Sequence, residues 1–230
     1  MWSRKDIKEN AKALVKANYW KAVVASLILM ICDGAGTGSS ASSASHNGNS
    51  DELVTAIQGL DIEMLLVGIF ALVSILAVAS IFGLLFSIFV YHPLEVGAKK
   101  LFVNCREGKA EFVDLAHAFK NSYLNIVKTL FLRGLFTGLW SLLFVIPGII
   151  KSYEYRMIPY ILAENPQMSS EDAFAKSKEM MSGNKWKAFV LDWSFIGWHI
   201  LGILTLGIAE IFYVAPYVDM TFAELYHELK

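Results

Sequence analysis

Residues 64–90 run MLLVGIFALVSILAVASIFGLLFSIFV, 27 positions without a charge and without a polar side chain larger than serine. A helix over this stretch is about 40 Å long at about 1.5 Å per residue, more than the roughly 30 Å hydrocarbon core that about 20 apolar residues cross. Backbone N–H and C=O groups find no water in lipid and have to be satisfied within the segment. The run therefore reads as a transmembrane helix, tilted or protruding at one end.

The rest of the chain agrees with a membrane setting. Its 230 residues are 55% hydrophobic and 18% charged, with a mean hydropathy of +0.47, whereas a soluble domain carries about 25% charge. A formal net charge of −1 lacks the basic excess of a nucleic-acid binder. The placement of charge says more. Six basic residues (Arg4, Lys5, Lys8, Lys12, Lys16, Lys21) lie in the first 21 positions, and no Lys or Arg follows until Lys99. By the positive-inside rule the N-terminus is expected in the cytoplasm. Cys32 and Cys105 then fall on opposite sides of the membrane, so no disulfide is expected.

Arg4, Lys8, Lys12 and Lys16 recur every four residues, opposite Ile7, Ala11, Leu14 and Val15. This is an amphipathic helix with a basic face, which either lies on an anionic leaflet or leads as a solvated helix into the membrane. Tyr19 and Trp20 mark the interface. The apolar stretch 22–32 is short enough for a signal peptide, but the patterned leader argues against one, as does the absence of a small residue before Cys32. A retained first span continues through Gly34, Ala35, Gly36 and Gly38. No strand precedes those glycines, so they form no dinucleotide fingerprint. A flexible outer loop is expected over 37–63.

After Tyr91-His92-Pro93, the residues Lys99, Lys100, Arg106, Lys109 and Lys120 place the chain back in the cytoplasm, with Phe112, Leu115 and Phe119 on a short amphipathic helix. A third span covers 123–146 and carries the pair Gly134/Gly138, spaced for close helix contact. Pro147-Gly148 reads as a tight outer turn. A short, unusually polar fourth span follows over 149–162. Ser169 or Ser170 caps a helix running to Met181, with Asp172 completing a capping box and Gly183 as its stop. Spans five and six are expected over 188–204 and 206–220, with the C-terminus inside.

Three segments resemble one another: Asn18-Tyr19-Trp20-Lys21-Ala22, Ser122-Tyr123-Leu124-Asn125-Ile126 and Asn184-Lys185-Trp186-Lys187-Ala188. Each begins a span after an amphipathic helix, and each unit closes on a proline: Pro93, Pro159 and Pro216. The expected architecture is all-α: a polytopic membrane helix bundle of about six transmembrane helices with cytoplasmic amphipathic helices. It forms one integral membrane domain, 1–230, with helix-pair repeats over 1–98, 110–164 and 169–222.

Trp140-Ser141-Leu142-Leu143-Phe144-Val145-Ile146-Pro147-Gly148, Pro159-Tyr160-Ile161-Leu162-Ala163-Glu164-Asn165-Pro166 and Leu191-Asp192-Trp193-Ser194-Phe195-Ile196-Gly197-Trp198 resemble the bacterial integral-membrane family of unknown function numbered 975 (DUF975). So do Trp2-Ser3-Arg4 and Ser177-Lys178-Glu179-Met180-Met181. The resemblance implies a multi-pass protein of the bacterial plasma membrane, and it carries no catalytic residues with it.

No metalloprotease, nucleophile-elbow, Walker or C-x-x-C motif is present. His46, His92, His117, His199 and His227 are scattered, so no metal or cofactor is expected. The remaining signal is an intramembrane charged cluster: Arg133, Lys151, Glu154, Arg156, Asp192 and Glu210, side chains that are costly in lipid and functional by default. Arg133 and Asp192 fall at similar depth and are expected to pair. Such charges either line a polar pathway or fix helix register. The leading expectation is a non-enzymatic scaffold or accessory component of envelope or transport machinery. The alternative is a small transporter or channel. Expected partners are membrane lipids and a second protein or a second copy of the chain, with no nucleic acid.

Overall fold

The computed structural model describes residues 2–36 and 62–230, and every regular element among them is helical. The expected loop at 37–63 lies outside the described residues, except that Ile62 and Glu63 already belong to a helix. Helix α1 (Arg4–Ala17) starts at Ser3, whose hydroxyl accepts the Lys5 N–H, and ends at Asn18. There the chain bends by 102° into α2 (Tyr19–Gly36). The apolar face of α1 is buried as its spacing predicts, with Ile7, Ala11 and Val15 at most 4% exposed. It packs on the C-terminal helix of the chain, so protein rather than lipid covers it.

Helix α3 (Ile62–Phe86) runs through a π turn (Ser87–Tyr91) into α4 (His92–Arg106) without leaving helical geometry. The sequence reading ends this helix at His92-Pro93. The structure continues it: Pro93 closely follows the π turn, at whose end the His92 N–H bonds the Ser87 carbonyl five residues back, so the hydrogen-bond register is already shifted where the ring removes a donor. Its lost hydrogen bond is also replaced: the Phe89 carbonyl, four residues back, accepts the Tyr123 hydroxyl at 2.7 Å. A 3-10 turn (Phe112–Ala116) and α5 (His117–Lys120) follow. Phe112 and Phe119 are exposed there, while Leu115 lies over α4.

Helix α6 (Tyr123–Leu143) is antiparallel to α7 (Val145–Glu154), and the reversal occurs at extended Phe144. Pro147-Gly148 lies inside the first turns of α7, not in the turn itself. Gly148 is where the two helices touch: a Cβ there would stand 2.2 Å from Ser141 Oγ and 2.6 Å from Ser141 Cα. Gly134 and Gly138 make no such approach, with nothing within 4 Å of an added Cβ, so the expected glycine-mediated crossing is elsewhere on α6. The chain then breaks at 155–157 before α8 (Ile158–Glu164).

The expected Ser169 cap is present at α9 (Ser170–Met181), but without the reciprocal bond of a capping box, which the chain makes instead between Glu111 and Asp114 at the start of the 3-10 turn. Ser169 Oγ accepts the Asp172 N–H at 3.1 Å and donates to Asp172 Oδ2 at 2.6 Å, and Gly183 adopts φ +72° just past the helix end. Helices α10 (Lys185–Trp193) and α11 (Ile196–Leu204) are followed by a second π turn (Glu210–Val214) and α12 (Ala215–Leu229).

Pro93, Pro159 and Pro216 stand at the starts of α4, α8 and α12. Helix α4 packs on both of the others, and Tyr160 of α8 stacks on Tyr226 of α12 at 5.4 Å between ring centroids. These three helices carry half of the buried core residues. Among the described residues, three helical stretches are long and apolar enough to cross a membrane: Leu66–Arg106, Tyr123–Leu143 and Lys185–Leu204. The bent α1–α2 pair makes a fourth if counted as one span. The expected fourth span is divided into helices of 10 and 7 residues and holds Lys151, Glu154 and Arg156. The expected sixth begins at the turn 205–207 and continues helically through its π turn into α12.

Candidate functional site

The continuation of α4 past Pro93 carries two charged residues into the bundle one turn apart, Glu95 and Lys99. Glu95 is 8% exposed and is held in a fork by Arg133 of α6, with Nη1–Oε1 3.1 Å and Nη2–Oε2 3.2 Å. Lys99 Nζ reaches Asp219 Oδ1 of α12 at 2.8 Å. The other oxygen of Asp219 accepts the Ser26 hydroxyl of α2 at 2.7 Å. Four elements thus meet in one layer of two cations and two carboxylates. Each charge has an opposite partner, which is what makes burial tolerable in a low-dielectric interior.

Arg133 and Asp192, expected to pair, do not. Asp192 of α10 takes Arg156 instead, with Nη1–Oδ2 2.5 Å and Nη2–Oδ1 3.1 Å, and accepts the Tyr153 hydroxyl at 2.6 Å. The Arg156 guanidinium also lies 3.7 Å from the Phe222 ring centroid. Equal depth does not give equal azimuth on two helices. The remaining expected residues form separate groups. Glu154 bridges Lys151, at 2.7 Å, and Lys185, and Glu210 meets His199 Nδ1 at 3.1 Å, fitting against Gly202.

Two cavities flank the Glu95/Lys99/Asp219 layer and share those three residues as wall. The larger, about 450 Å³, is also lined by Arg133, Arg156 and Tyr160, and on α6 by Gly134, Thr137, Gly138 and Ser141. Those four α6 residues share one helix face. The small-residue stripe thus opens space beside the charges, where the sequence reading expects a helix contact. The smaller cavity, about 290 Å³, is bounded by Ser26, Tyr91 and Glu210. Of the six expected residues, Arg133 and Arg156 line the first and Glu210 the second. Lys151 faces a separate groove with Trp140 and Phe174; Glu154 and Asp192 line neither.

Glu95, Lys99 and Asp219 escape the sequence reading. Lys99 reads there as a cytoplasmic marker, because Pro93 is taken as the end of the helix. Asp219 stands in an apolar segment as Asp192 does and gives the same kind of signal.

Residues 142–230 match the model of a family described as protein of unknown function (DUF975), the family that the motifs at 140–148, 159–166 and 191–198 resemble. Neither a curated protein nor a solved structure matches the chain.

Proposed function

We propose that this is a non-enzymatic protein of the bacterial plasma membrane that binds a small zwitterionic solute within its helix bundle and passes it across. The observation that carries the reading is the 450 Å³ cavity, whose wall sets three cations, Lys99, Arg133 and Arg156, against two carboxylates, Glu95 and Asp219. Each of these cations is paired, Arg156 with Asp192 behind the wall, so charges of both signs face the cavity in balance, which suits a solute that itself carries both. The second cavity, beyond the shared layer, supplies a continuation for a path. In this reading both termini face the cytoplasm and the chain crosses six times, with α7–α8 as a broken return and the segment entering α12 as a helix with a π turn. The three prolines at the starts of α4, α8 and α12 support threefold repetition, and internal repeats are common in transporters.

The test is solute binding and flux with the full chain in proteoliposomes, comparing the parent with Gly138→Phe. Gly138 lines the cavity and nothing lies within 4 Å of a Cβ there, so a ring at this position is directed into the cavity. Uptake of an amino acid that Gly138→Phe abolishes supports the reading. Equal uptake in both proteins, or none in either, overturns it.

A second reading, a scaffold in envelope machinery, draws on α3, none of whose apolar window is buried. A stable protein partner, or a second copy, that co-purifies through α3 in the absence of flux would favour it.

A further inference from the structure

The basic helix α1 meets the membrane through a different device from its apolar face, which α12 covers. A slot of about 220 Å³ opens where α1, the start of α2 and the second π turn converge, lined by Lys12, Val15, Lys16, Tyr19, Tyr213 and Tyr217. Its wall is almost wholly apolar. Tyr213 and Tyr217 stand one turn apart with ring centroids at 5.8 Å, and Trp198 extends the aromatic wall at 5.2 Å from Tyr213. At the rim stand Lys12 and Lys16, one turn apart on α1 and exposed.

The lysines of α1 are not equivalent. Lys8 is engaged, its Nζ donating to the Ser194 carbonyl at 3.2 Å and lying 3.8 Å from the Phe195 ring centroid. Lys12 and Lys16 have no hydrogen bond or ion pair among the described residues. Because α1 lies at 102° to α2, a spanning α2 lays α1 along the membrane surface, with the slot descending from the two free ammonium groups toward the hydrocarbon. An apolar slot rimmed by two unpaired cations at that depth matches one kind of molecule, an amphiphile with an anionic head and an apolar tail.

We propose that this slot seats an anionic phospholipid, with its phosphate between Lys12 and Lys16 and its acyl chain against Tyr19, Tyr213 and Tyr217. The site is independent of the solute cavity and shares no residue with it.

The experiment places the full chain in nanodiscs of equal parts phosphatidylglycerol and phosphatidylcholine, extracts it into mild detergent, and counts retained lipid by native mass spectrometry. The parent is expected to keep phosphatidylglycerol over phosphatidylcholine. Lys12→Gln/Lys16→Gln, both exposed and without partners among the described residues, is expected to lower that preference by about tenfold, and Lys12→Arg/Lys16→Arg to retain it. The control is Arg4→Gln/Lys5→Gln, which removes the same charge from exposed positions of α1 outside the slot and is expected to leave retention unchanged. An equal loss in the control would mean diffuse attraction of a basic helix and would overturn the site. Equal retention of both lipids by the parent would overturn it too.

Discussion

At the scale of single residues, the buried charges of the bundle are partnered by geometry that depth alone does not specify. Arg133 holds Glu95 through two hydrogen bonds. Arg133→Gln therefore strands a buried carboxylate and is expected to cost about 3–5 kcal/mol. Thermal unfolding in detergent of Arg133→Gln, Glu95→Gln and the double variant should show coupling, with the double recovering part of the loss. The effects of Arg133→Gln and Asp192→Asn should simply add, and a coupling between those two would refute the observed pairing. Outside the spans, two carboxylates shift in opposite directions. Burial raises the Glu224 carboxyl: it is 2% exposed, one oxygen has no partner, and Arg106 stands 3.7 Å from the other. A raised folded value means that its favourable contribution is present in acid and lost as pH rises through that value. Glu224→Gln should then raise Tm at mildly alkaline pH and leave it unchanged in acid. Although burial opposes it, hydrogen bonds from Lys230, at 2.6 Å, and Tyr226, at 2.8 Å, hold Glu164 below the usual range. Its contribution is present at neutral pH and lost as pH falls through the lowered value, so Glu164→Gln should lower Tm at neutral pH and converge with the parent in acid. The same Tm shift at both pH values would remove the titration argument in either case.

At the scale of elements, the amphipathic and capping patterns were legible because they depend on neighbours within one turn. The faces of α1 and the Ser169–Asp172 cap are found where spacing puts them. Helix ends and helix crossings were less legible, because they depend on what the rest of the chain supplies. Pro93 looks like a stop until Tyr123 is seen donating to the freed Phe89 carbonyl. Gly134/Gly138 has the spacing of a crossing motif yet borders a cavity, while the actual close approach uses Gly148, hidden beside Pro147 in what reads as a turn. This gives a sharp pair of expectations for unfolding of purified protein. Gly148→Ala drives a Cβ into the Ser141 backbone and should destabilise by about 1–3 kcal/mol. Gly138→Ala meets open space and should be neutral or stabilising by up to about 1 kcal/mol, the helix-propensity difference. If both lose equally, the crossing lies along the glycine pair after all.

At the scale of the whole molecule, the membrane setting was legible from one apolar run, and the number of crossings was not, because the stretch after α6 is divided by a break and holds its charges in ion pairs. Helix α6 has 21 residues, about 31 Å, enough to cross. The return through α7 and α8 has 10 and 7 residues separated by a break, roughly 15 and 10 Å, so neither crosses alone. Two physical facts favour a return. The charges of the segment, Lys151, Glu154 and Arg156, all face partners inside the protein, so they need no water. The segment also ends ahead of α9, whose Lys176 and Lys178 the positive-inside rule would put on the side of the basic N-terminus. Cysteine labelling with an impermeant reagent, in a parent lacking Cys32 and Cys105, decides the matter. Glu107→Cys and Ser182→Cys should react from one side of the membrane. Val145→Cys and Leu206→Cys, at positions 71% and 94% exposed in the parent, should react from the other. If Ser182→Cys reacts from the side of Val145→Cys, α7–α8 does not return. The cavity beside Arg133 would then be a surface recess, not a station on a path through the bundle.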